Sequence, residues 1–184
     1  MRARAALRER RDGIAPALRA QAAGRIALAL SDLLERLAPA VVAVYWPIGS
    51  EPDLRPVFQA WHARGWTLAL PRVVRAGEAL TFGRWHAGVS MAAGPHGTRH
   101  PEPHESVTPD VVIVPCVGFD AAGMRLGYGG GYYDRSFEAL RAARRIGVAF
   151  DSSEMTNFTP GPHDRPMQWI VTQTRTLVVP GASA

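Results

Sequence analysis

Residues 123 to 137 read GMRLGYGGGYYDRSF, with glycines at 127, 129, 130 and 131 followed by Tyr132, Tyr133 and Asp134. Glycine tolerates φ > 0 and lets backbone approach a ligand with no Cβ in the way. A glycine-rich turn that opens a helix points successive N–H groups outward, and the helix dipole adds positive potential. That combination is an anion site, most often for phosphate. A purely structural loop is the competing reading of the glycines. Asp134, at the helix start, also has two readings: an acid that complements the dipole, or a carboxylate that holds magnesium beside phosphate. The stretch is neither of two familiar phosphate loops. A Walker loop ends in Gly-Lys and Ser or Thr, and the dinucleotide fingerprint needs glycine where Tyr132 stands.

Every one of the 21 basic residues counted as Lys+Arg is arginine. The absence of lysine excludes a Schiff-base lysine, a lysine general base and a Walker lysine. Phosphate charge must therefore be met by arginine, backbone N–H or metal. The formal net charge is +5. The arginine-rich start, MRARAALRERRDG, offers a rival class, a basic RNA-binding protein. No aromatic residues interleave with that run, and no RNA-binding module motif is present. The one cysteine, Cys116, excludes an internal disulfide, and within VVIVPCVGF it reads as a small buried hydrophobe rather than a catalytic thiol. His96, His100 and His104 would share a helical face and could bind zinc. The stretch GPHGTRHPEPHES that carries them has two glycines and three prolines, which argues against any helix there.

The elements that must hold these groups follow from periodicity. Apolar residues at three- and four-residue spacing predict helix over 2–37, divided by Pro16. AVVAVYW (40–46) reads as a strand. DLRPVFQAWHARG reads as a helix with Asp53 as N-cap and Gly65 as C-cap. WTLALP and ALTFGRW are strands, and 86–109 reads as loop. DVVIVP is apolar throughout and predicts a strand buried on both faces. YYDRSFEALRAARR predicts a helix over 132–145, IGVAF a strand, 151–166 a loop, and QWIVTQ the last strand. Apolar strands alternating with helices point to an α/β fold with a mostly parallel sheet. Ligands bind such sheets at the C-terminal ends of the strands, where DVVIVP feeds the glycine stretch. The length fits one domain, 1–184, with 1–37 as an N-terminal helical arm. No apolar run reaches the ~18 residues of a membrane span, and the N-terminus lacks the apolar core of a secretory signal. Cytoplasm is the expected location. An organellar transit segment stays open, with Glu9 and Asp12 against it.

VPCVGFDAAGMRLGYGGGYYDR resembles the signature of the 5-formyltetrahydrofolate cyclo-ligase (methenyltetrahydrofolate synthetase) family. Three further blocks follow the family's order. Arg4, Leu7 and Arg8 match a Lys-x-x-Leu-Arg block, with arginine in place of lysine. Glu51 and Asp53 match an acidic pair after the first strand. His163, Asp164 and Pro166 match a late His-Asp-x-Pro before an Ile-Val-Thr strand. A middle-loop acid or amide before proline is replaced by His100 before Pro101, or matched by Glu102 before Pro103 in a shifted alignment; the first is preferred.

The resemblance implies a three-layer α/β/α fold of the NagB/RpiA/CoA-transferase-like kind and a monomer that acts on small molecules, not on nucleic acid or membrane. It implies that ATP phosphorylates the formyl oxygen of 5-formyltetrahydrofolate, that the neighbouring nitrogen closes the ring, and that phosphate leaves. ATP is then the co-substrate and magnesium the metal. By the same resemblance Gly127, Tyr128, Gly129, Gly130, Gly131, Tyr132 and Tyr133 surround ATP, with Arg4, Arg8 and Arg125 adding charge-assisted bonds. Asp134 and Asp164 hold magnesium. Glu51, His100 and Tyr132 contact the folate, and Asp134, Arg125 and Tyr132 serve the chemistry. Bland alternatives stand beside these roles: Arg4 and Arg8 as a solvated face, Glu51 as a surface acid, Tyr133 as core packing, and His163 as a loop cap. Two other readings on a similar scaffold are a sugar-phosphate isomerase and a non-catalytic folate-binding relative.

Overall fold

The computed structural model describes residues 2–156, 159–161 and 164–180. Two helices open the chain, α1 (Arg2–Asp12) and α2 (Pro16–Leu37), with Pro16 at the first helical position of the second. A proline there forfeits only an N–H that would lack a helical partner anyway. β1 (Val41–Ala43), α3 (Arg55–Ala63), β2 (Thr67–Arg72) and β3 (Thr81–Trp85) follow. β1 is shorter than the apolar run. Its paired register ends at Ala43, and the chain then leaves towards Glu51. The N-cap of α3 is Leu54 rather than Asp53, although the Asp53 carboxylate accepts the Arg55 N–H at 3.0 Å. Its C-cap is Arg64, and Gly65 follows with φ +94°.

The segment read as loop contains a hairpin, β4 (Met91–Ala93) and β5 (Arg99–Pro101). Prolines confined to its ends and its turn leave the short ladder intact. β6 (Val111–Pro115) is buried between two parallel neighbours, as its uninterrupted apolar run predicts. A second small hairpin, β7 (Gly118–Phe119) and β8 (Arg125–Leu126), carries the chain to the glycine loop. α4 (Tyr132–Ala139) ends well before the predicted 145. Arg144 and Arg145 belong instead to β9 (Arg144–Val148), paired in parallel with β6, so sheet pairing overrides their helix propensity. β10 (Trp169–Val171) is not the last strand, because β11 (Thr176–Val178) turns back beside it.

The sheet order is β11-β10-β9-β6-β1-β2-β3, parallel from β10 to β2 with an antiparallel strand at each edge. Side chains alternate between its faces. Val42, Val111, Ile113, Ile146 and Trp169 face α2 and α3, against Ile26, Leu30, Leu34, Phe58 and Trp61. Ala43, Val112, Val114 and Ile170 face the other way, against Phe137 of α4. The result is a three-layer α/β/α arrangement. From β1 the order runs to β2 on one side and to β6, β9 and β10 on the other, so the direction of winding reverses between β1 and β6. Ligands of open α/β sheets bind beyond the C-terminal strand ends at such a switch point. Glu51 follows β1 and the glycine loop follows β6, so the sheet brings both to one place.

Candidate active site

α1 lies against the glycine loop. Arg4 Nε donates to the Gly127 carbonyl at 2.6 Å, and its guanidinium is 3.4 Å from where a Cβ on Gly129 would be. Arg8 stands over the Tyr128 ring, 5.5 Å from its centroid. Leu7, buried at 6% exposure, anchors the helix beside Gly118, where an added Cβ would be 2.8 Å from Leu7 Cδ1 and from Met155 Sδ. Arg4 is thus part-buried against the loop, whereas Arg8 stays exposed where it crosses the Tyr128 ring. Gly129 (φ +99°) and Gly131 (φ +62°) use the left-handed region. Gly130 does not. Its lack of a side chain instead admits the Tyr132 ring, 2.7 Å from an added Cβ.

Glu51 is 5% exposed, which removes the surface-acid reading. Its Oε2 accepts the Ile48 N–H at 2.8 Å and its Oε1 accepts the Tyr128 hydroxyl at 2.8 Å. Burial pushes its carboxyl up, opposed by the Ile48 N–H, the Tyr128 hydroxyl and the Arg11 charge. The Tyr128 hydroxyl is pushed up to about 12, mainly by burial and by Glu51. Arg11 was not singled out among the candidate residues. It is 3% exposed and donates from Nε to Ser50 Oγ at 3.0 Å and from Nη2 to the Tyr128 hydroxyl at 2.8 Å. A signal existed: Arg4, Leu7, Arg8 and Arg11 follow the i, i+3, i+4, i+7 spacing of one helical face.

Arg125 and Asp134 meet as a pair, Nη2 to Oδ1 at 2.6 Å, with side chains 5% and 18% exposed. The same pair holds the late loop: Arg125 Nη1 donates to the Arg165 carbonyl at 2.9 Å, and Asp134 Oδ1 accepts the Arg165 N–H at 3.4 Å. Asp164 therefore sits one residue from a segment fixed to Asp134. Its Oδ2 accepts the Gly161 N–H at 2.7 Å. His163 lies outside the described residues. Tyr132 carries Arg135 over its ring at 5.4 Å, while Tyr133 packs on Phe137 at 6.2 Å, and burial pushes its hydroxyl far up. His100 is buried on β5, with Nε2 3.9 Å from Glu102 Oε2. At the hairpin tip an added Cβ on Gly97 would be 3.9 Å from Ile48, in the loop that carries Glu51. Cys116, 1% exposed with its thiol pushed up to about 12 by burial, is a packing residue. No three acidic, histidine or cysteine side chains gather as a metal cluster among the described residues, the spaced histidines included.

A mostly parallel open sheet brings a glycine-rich loop, a docked basic helix and a buried carboxylate together at its switch point, where α/β sheets bind small molecules. The comparisons narrow the class. The sequence profile of the 5-formyltetrahydrofolate cyclo-ligase family matches residues 1–173, so the chain belongs to that family of ligases. It is 32% identical to the 5-formyltetrahydrofolate cyclo-ligase of Mycolicibacterium smegmatis, over 95% of this chain and 94% of the relative. It is 27% identical to the Escherichia coli K12 cyclo-ligase over 92% and 97%. The structure of Aquifex aeolicus 5,10-methenyltetrahydrofolate synthetase superposes with a TM-score of 0.86 at 27% identity, covering 100% of this chain and 94% of that one. The match includes the arginine-rich helix. Among the described residues no helix is long and apolar enough to cross a membrane.

Proposed function

We propose that this protein converts 5-formyltetrahydrofolate to 5,10-methenyltetrahydrofolate with ATP and magnesium, as a monomer in the cytoplasm. The formyl oxygen attacks the terminal phosphorus of ATP and ADP leaves. The neighbouring nitrogen then attacks the formyl carbon, and phosphate departs with the former formyl oxygen and the proton of that nitrogen. Phosphorylation is needed because an amide-like oxygen is a poor leaving group. The observation that carries the reading is the 2.8 Å bond from the Tyr128 hydroxyl to Glu51, which makes the anion cradle and the carboxylate two sides of one site.

The chain's own groups have defined tasks. Backbone N–H groups of Gly127 to Gly131 face the phosphates, and Arg4 and Arg8 neutralise their charge from α1. Glu51, an acceptor when ionised, suits the donor-rich edge of a reduced pterin. Tyr132 flanks the folate, and His100 approaches from the hairpin. Arg125 holds Asp134 in place and keeps positive charge beside the transferring group. Asp134 and Asp164 would hold the magnesium, which takes only one or two carboxylates alongside phosphates and water and neutralises charge on phosphate oxygens. The donor set fits, because Asp134 Oδ2 and Asp164 Oδ1 make no hydrogen bond among the described residues. The test is spectroscopic. The methenyl product absorbs in the near ultraviolet where the substrate does not, so that band should appear only when 5-formyltetrahydrofolate, ATP and magnesium are all present. Its absence under those conditions would reject the reaction.

A further inference from the structure

Five side chains form a continuous polar chain from α1 into the candidate site: Asp12, Ser50, Arg11, Tyr128 and Glu51. Ser50 Oγ donates to the Asp12 carboxylate while it accepts from Arg11 Nε at 3.0 Å. The Tyr128 hydroxyl accepts from Arg11 Nη2 at 2.8 Å and donates to Glu51 Oε1 at 2.8 Å. The direction of these bonds is fixed by chemistry. A guanidinium has donors and no acceptor, so it can meet a phenol only at the oxygen. The phenol proton is thereby turned towards Glu51. With the Ile48 N–H on Oε2, each carboxylate oxygen then receives one donor.

Arg11 is a costly residue to bury. It is 3% exposed, its direct side-chain partners are two neutral hydroxyls, and its Nη1 is buried without a partner among the described residues. A merely structural contact could be made by an apolar side chain at this α1 position, as Leu7 does four residues earlier. What an apolar residue could not do is orient the Tyr128 hydroxyl and place positive charge near a buried carboxylate. Among the described residues Arg11 is the cation whose charge opposes the burial of Glu51. The groups that sense its charge from the surrounding elements are Tyr45, Cys116, Tyr128 and Tyr133, all of which titrate far above it, while Arg11 supplies the opposing positive charge.

We infer that Arg11 is a positioning residue: through the Tyr128 hydroxyl it orients Glu51 and keeps positive charge near it, and so links α1 and the glycine loop to the carboxylate across the site. The structural part stands on the bonds above. Its consequence for the folate rests on the function proposed in the preceding section. Arg11→Gln removes the charge, whereas Arg11→Lys keeps it. Carbon NMR of the Glu51 carboxyl in the ligand-free protein, assigned with Glu51→Gln, should titrate at higher pH in Arg11→Gln, and Arg11→Lys should restore most of the wild-type midpoint. The folate KM of Arg11→Gln should rise about ten-fold, the loss of one charge-assisted contact. A Glu51 midpoint identical in wild type and Arg11→Gln, with both proteins folded by melting, would overturn the role of Arg11 whatever the reaction is. A wild-type protein that forms no methenyl product would instead overturn the folate consequence.

Discussion

Asp134 is engaged by Arg125, which changes what its substitution should do. As a lone first-turn acid it would contribute only about 0.3–1 kcal/mol through the helix dipole. In the structure its Oδ1 accepts from a guanidinium at 2.6 Å, and both side chains are mostly buried. Asp134→Asn leaves that guanidinium without its countercharge, so the fold should lose about 1–3 kcal/mol, read by urea melts. Replacing Arg125 by Met in the same protein should recover part of the loss, because the stranded charge is gone. Turnover should stay low in both. Additive stability losses in the double variant would show that the pair is not coupled. The residue types that meet here could be named from the sequence: the glycines, Arg4, Arg125, Glu51 and Asp134. Their pairing could not, because spacing along a chain does not say which charge neutralises which. Gly130 shows the same limit. Glycine offers both positive φ and close approach, and at this position the structure uses only the second, as room for the Tyr132 ring.

At the scale of the element, α1 is the part whose placement matters most. Its periodicity was readable, but its docking was not, since that depends on a glycine more than a hundred residues away. Gly118 lies on β7, and an added Cβ would come within 2.8 Å of both Leu7 Cδ1 and Met155 Sδ. Both atoms end flexible side chains, so the expected response to Gly118→Ala is a displaced helix and not a broken strand. Overpacking of this kind costs about 1–3 kcal/mol. Because Arg4 and Arg8 travel with Leu7, the ATP KM should rise more than the folate KM, and α1 amides should exchange faster. A Gly118→Ala protein with unchanged ATP KM would show that the position of α1 does not govern ATP binding. α4 illustrates the opposite error. Its sequence stays helix-compatible to 145, yet the β9–β6 pairing takes Arg144 and Arg145 into the sheet. Local propensity cannot anticipate a partner strand.

At the scale of the whole molecule the α/β class was legible, because buried parallel strands have apolar runs with few polar interruptions. The edge strand β11 and the separate β4–β5 hairpin were harder. β11 has a mixed, half-exposed sequence, and the β4–β5 hairpin is hidden among prolines and glycines. That hairpin has a consequence for global stability. His100 and His104 are both held below the usual histidine range, first by burial and then by the Arg72 charge, with Glu102 opposing. Both ring nitrogens of His104 are buried without partners among the described residues, and Nδ1 would stand 2.5 Å from a Cβ on Gly83 of β3. Protonating that ring puts charge against the main sheet. The unfolded chain protonates near pH 6.5 and the folded one lower. Between those values the unfolded state binds more protons, so stability falls as the pH falls. It is fully present above about pH 6.5 and is lost as the pH descends through the depressed folded values. Glu51 acts with the opposite sign. Its raised value means that acidification relieves a buried charge, so stability gained there partly offsets the histidine loss. Melting temperatures measured from neutral to mildly acidic pH should therefore fall in the wild type, and fall less in a His100→Gln, His104→Asn double variant. A double variant as acid-sensitive as the wild type would place the acid-labile groups elsewhere than at His100 and His104.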